Sequence, residues 1–304
     1  MKRLYYAAFG SLLVVIFLFF QGCGDTNVFD GMSDDGGEAA RIEQAKQDLN
    51  SGKFDAVIGA LKNKTRTEQE SRYLASAYMG KAGFDTLKLL EEISKEDGEK
   101  KVETFDVITR IFDEGGDGKI ESEQLDNKIE LIDKALGVLG ASGRGRNARF
   151  SKSLAISSPS DDVKLQRGIC AAIHAIFTIC QTVACEYGIQ ENESIPLTVD
   201  ALNDLKNTRP GQPILLSDNN CQDLNDYMTA LNNDLELVQE AVVVLGGGTL
   251  DRQLGETSYQ ESDENDIQRE FNEFLGDIGY NGGTTPNEVT SVELSAYLNQ
   301  LLSK

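Results

Sequence analysis

From residue 38 onward, apolar positions recur every three or four residues, the period of a helix that buries one face. Ala45, Leu49, Phe54, Val57, Ile58 and Leu61 keep that spacing across a Ser51-Gly52 break, which predicts two short helices. Thr67 and Glu70 form a capping box opening a third. It runs through Leu74, Ala77 and Tyr78 to a turn at Gly83, after which Phe84, Leu87, Leu90 and Ile93 resume the pattern. Phe105, Ile108, Ile111 and Phe112, then Ile129, Ile132 and Leu136, flank an acidic, Gly-rich turn. Residues 140–160 read as a long connection carrying Arg144, Arg146, Arg149 and Lys152. Ser160 opens the longest apolar helix, whose stripe runs from Leu165 to Val183. Being apolar nearly all round, that helix belongs at the centre of the body. Residues 188–219 read as a loop with a brief helix near Thr198–Leu205. A regular amphipathic helix follows from Cys221 to Leu245, stopped by Gly246-Gly247-Gly248. One more helix is expected from Ser262 through Leu275, and a last one from a Thr285-Glu288 capping box through Leu301. No strand alternation stands out, so the fold class expected is all-α.

The N-terminus has a different pattern. Lys2 and Arg3 precede an unbroken apolar run from Leu12 to Phe20, then Gln21, Gly22 and Cys23. This is the layout of a secretory signal, and Phe20-Gln21-Gly22-Cys23 resembles the lipobox of bacterial lipoproteins. That resemblance implies cleavage before Cys23, a lipid on its thiol, and a membrane-anchored protein of the bacterial cell envelope. In a host with two membranes, Gly24 after the cysteine implies the outer membrane, with the body facing the periplasm. An uncleaved signal anchor is the alternative, since Leu4 to Phe20 is just short of a spanning helix. Residues 1–22 are then the signal peptide and 23–37, rich in Gly and Asp, a flexible tether. Residues 38–304 are the body, with a repeat-like half at 38–139 and a helical half at 160–304.

Two further resemblances lie in the body. Gly52-Lys53-Phe54-Asp55 and Ala82-Gly83-Phe84-Asp85 mark matching turns, which predicts that Phe54 and Phe84 are buried and equivalent. With Leu74-Ala75-Ser76-Ala77-Tyr78, this stretch resembles tetratricopeptide repeats: arrays of antiparallel helix pairs whose family role is to bind proteins or peptides. A generic pair of helical hairpins gives the same architecture. The turn at 113–124 resembles an EF-hand calcium loop. Asp113 opens it, Asp117 stands fifth, Gly118 sixth, Ile120 eighth and Glu121 ninth, with the Lys119 carbonyl and Gln124 completing the set. Gly115 brings no oxygen at the third position, and Gln124 stands where a bidentate Glu is usual. The other reading of this stretch is a plain acidic turn between packed helices.

Charge narrows the partners. The formal net charge is −21, and loss of the signal removes Lys2 and Arg3 but no acid. Such a surface repels nucleic acid and favours basic partners or divalent cations. His174 is the one histidine in the chain. Cys170 and His174 have the spacing of a metal pair, but structural zinc of this kind favours reducing compartments, so a packed histidine is expected. No nucleophile elbow, metal motif or phosphate loop points to an enzyme. With Cys23 lipidated, Cys170, Cys180, Cys185 and Cys221 remain. On an intact helix the nearest two of the first three are about 7.5 Å apart along the axis, beyond bonding range. A disulfide must therefore use Cys221, with Cys185 as the expected partner and Cys180 as runner-up. The function expected is a membrane-tethered helical scaffold or adaptor binding protein or peptide partners. The alternative is a calcium-binding envelope lipoprotein.

Overall fold

Helices make almost all of the regular structure. The computed structural model describes residues 37–63, 66–84, 104–113, 115–141, 159–190, 193–245, 266–280 and 288–303. The signal, Cys23 and the tether before Gly37, the helix expected after Phe84 and most of the basic connection lie outside these residues. The chain divides into residues 1–43 and 44–304. In the first unit the described part is 37–43, where α1 (Glu38–Asn50) opens.

α2 (Phe54–Leu61) and α3 (Glu68–Lys81) follow, and turns of one design close α1 and α3. After α1 the Gly52 amide donates to the Leu49 carbonyl and the Lys53 amide to Asp48. After α3 the Gly83 amide donates to Gly80 and the Phe84 amide to Met79. Gly52 and Gly83 take φ of 69° and 97°, the left-handed region that closes helices and that a Cβ disfavours. This registers Gly52 with Gly83, so Phe84 aligns with Lys53 and the two phenylalanines are not equivalent. Nor is either fully buried. Phe54 lies across Gly80, where a Cβ would strike its ring, while Phe84 packs on Phe112 with ring centroids 6.4 Å apart.

α4 (Thr104–Phe112), β1 (Lys119–Glu121) and α5 (Ser122–Val138) precede the central helix α6 (Asp161–Tyr187). α6 is long and apolar enough to cross a membrane, yet in the fold most of its surface is buried against the other helices. Ser160 caps its start through the Val163 amide, and Gly188 at φ 70° ends it. β2 (Ser194–Pro196), α7 (Val199–Asn207), α8 (Leu224–Leu245), α9 (Asp266–Asp277) and α10 (Ser291–Leu301) complete the described elements. The longest interface joins α6 and α8. Gly168 permits it, since a Cβ there would collide with that of Ala241. Phe112 meets Phe177 edge to face at 4.8 Å, tying α4 to α6. Arg167, buried, donates from Nε to the Leu139 carbonyl at 2.8 Å, satisfying the C-terminal end of α5. One core runs from Ala75 to Leu302, so the two halves of the body share it.

Three expectations are corrected. Among the described residues two short strands, β1 and β2, pair antiparallel with Ile120 opposite Ile195, both buried. The amphipathic helix begins at Leu224 rather than Cys221. The last helix begins at Ser291, opened by the reciprocal capping box of Thr290 and Glu293, and not at Thr285, which lies outside the described residues.

Candidate functional site

The loop at 113–124 is ordered by its own carboxylates. Asp113 accepts from the Gly116 amide (2.8 Å) and the Gly118 amide (3.0 Å), and Asp117 accepts from the Lys119 amide (3.1 Å). Gly116 and Gly118 take φ of 69° and 73°. Gly118 also lies so close to Thr198 that a Cβ would collide with its hydroxyl. Lys119 belongs to β1, and Glu121 accepts from the Ser194 hydroxyl across the strand pair at 2.9 Å. Gln124 lines a cleft described below. Asp113, Asp117 and Glu121 are thus each engaged with partners within the protein. Among the described residues no three acidic, His or Cys side chains are gathered closely enough to hold a metal ion. The strand pair nonetheless supplies what a single loop lacks, a second helix–loop–strand–helix unit (α6, β2, α7) joined to the first (α4, β1, α5).

His174 is one of the buried polar side chains of the core. It is buried on α6, and its Nδ1 lies 2.6 Å from Asp234 Oδ2 on α8, while Nε2 lies 3.4 Å from Asp133 Oδ1 on α5. Burial alone would push the imidazole down. The Asp234 carboxylate at hydrogen-bond distance, with Asp133 opposite, overrides that and lifts it to about 9. At neutral pH the group is an imidazolium held between two carboxylates. Burial raises both Asp234 and Asp133 in turn, and the imidazolium draws them back. Both ring nitrogens face a carboxylate, so neither is left to activate a nucleophile. Cys170, at the metal-pair spacing, instead points its thiol at Met79 Sδ, 3.3 Å away.

Above His174 opens a cleft of about 590 Å³ between α5, α6 and α8. α5 lines it with Glu123, Asp126, Glu130 and Asp133, α6 with His174, Thr178 and Gln181, and α8 with Asp226, Tyr227 and Ala230. Gln181 Nε2 donates to Asp126 Oδ1 at 2.7 Å, and Lys134 pairs with Glu130 at 2.7 Å. The remaining acids give the cleft a negative field that its concave walls concentrate.

Cys185, in the last turn of α6, is bonded to Cys221, just ahead of α8, with Cα atoms 5.2 Å apart. Cys170 and Cys180 are free and buried; burial raises both thiols, Cys180 to about 12. Sequence reasoning missed Asp133 and Asp234. One signal for Asp234 was present, a charge on the apolar face of α8 between Leu231 and Val238. Comparison with protein-family models, curated proteins and solved structures finds no match to this chain.

Proposed function

We propose that the protein is a bacterial envelope lipoprotein, anchored by a lipid on Cys23. Its helical body binds protein or peptide partners and catalyses no reaction. The observation that carries this reading is the run Phe20-Gln21-Gly22-Cys23 closing an apolar segment that follows Lys2 and Arg3. The Cys185–Cys221 bond supports an oxidising compartment. The matched turns at Gly52 and Gly83 support a tetratricopeptide-like pairing of the first helices, an architecture suited to extended partner surfaces. The doubly engaged His174 supports the non-catalytic part. Cys23→Ser is expected to abolish incorporation of labelled fatty acid and release the body from membranes. Equal labelling of mutant and wild type would reject the anchor.

A second reading, calcium binding through 113–124, is favoured by the pairing of Ile120 with Ile195. Asp113, Asp117 and Glu121 would have to turn from their present partners onto the ion, with the Lys119 carbonyl and Gln124 filling the shell. Affinity is then expected to be weak, on the order of millimolar. Calcium should raise the melting temperature at fixed ionic strength more than magnesium does, and Asp117→Asn should remove that difference. Equal shifts with both ions would leave the segment as an acidic turn.

A further inference from the structure

We draw no further inference here: the strongest candidate, the connection 212–217 along α10, whose Ile214 and Leu216 amides are bound by Asn299 and Ser295 while Leu215 stays exposed, presents an apolar surface with nothing in the structure to show what covers it.

Discussion

Asp234→Ala is expected to destabilise the protein by about 3–5 kcal/mol, the cost of stranding a buried charge whose partner is gone. Asp234 is 4% exposed and sits on the apolar face of α8 between Leu231 and Val238. Its carboxylate receives His174 Nδ1 at 2.6 Å. Without it, the imidazolium keeps only Asp133 at 3.4 Å. The His174 site would then either hold a poorly compensated cation or give up its proton. Replacing both His174 and Asp234 by Leu should recover much of the loss, because apolar side chains remove the desolvation problem together with the ion pair. Urea unfolding of the three variants separates these contributions. A loss below about 1 kcal/mol in the single variant would mean that water reaches the pair. The pH dependence has a definite sign. The folded imidazole titrates near 9, above its unfolded value of about 6.5. Its contribution is therefore complete below about 6.5 and is lost as pH rises through about 9. Asp133 and Asp234 are raised as well, so acid takes nothing from the fold through these two carboxyls. Unfolding measured at pH 6, 8 and 10 should show stability falling toward alkaline pH in wild type, with a flatter profile in the double Leu variant.

The helices were legible where one face is apolar for several turns. α6 and α8 carry long apolar stripes, that of α8 broken at Asp234, and the core forms on those stripes. The strands were not legible, because three residues are too few to show alternation. What makes them strands is tertiary: Ile120 and Ile195 are buried opposite each other, and the Gly118 carbonyl accepts from the Leu197 and Thr198 amides. The start of α10 shows local chemistry failing to choose between two equal signals. Thr285 with Glu288 and Thr290 with Glu293 both satisfy the capping-box spacing. The second wins because Val289 precedes it and Leu294 follows at the staple position, both buried, whereas Thr284 would stand in that place for the first. Asn232 of α8 then clamps Val289, accepting from its amide at 2.6 Å and donating to its carbonyl at 3.0 Å. The cleft was invisible for a related reason. Its acids come from α5 and α8, far apart in the chain, and in a sequence this acidic none stands out. Asp234, a charge on the apolar face of α8, did break its local pattern.

Cys221→Ala is expected to cost about 2–4 kcal/mol, the range for a native cross-link closing a loop of this order. The bond joins residues 36 apart, so breaking it restores conformational freedom to the whole unfolded segment carrying β2 and α7. The lower part of the range is favoured by ties that survive the substitution. Glu186, buried beside Cys185, accepts from the Ser217 amide at 3.1 Å and from the Asn220 side chain. Ile214 and Leu216 are held against α10 through Asn299 and Ser295. These contacts keep the segment before Cys221 in place when the sulfur is gone, so the native state should relax little. Glu186→Ala in the Cys221→Ala background should therefore cost more than Glu186→Ala alone, because bond and carboxylate restrain the same junction and each masks the loss of the other. Peptide mapping without reduction gives the direct check. It should return a linked pair containing Cys185 and Cys221, with Cys170 and Cys180 alkylated only after unfolding, since both thiols are buried and raised. Recovery of Cys185 and Cys221 as free thiols from protein made in an oxidising compartment would remove both the cross-link and its stabilising role.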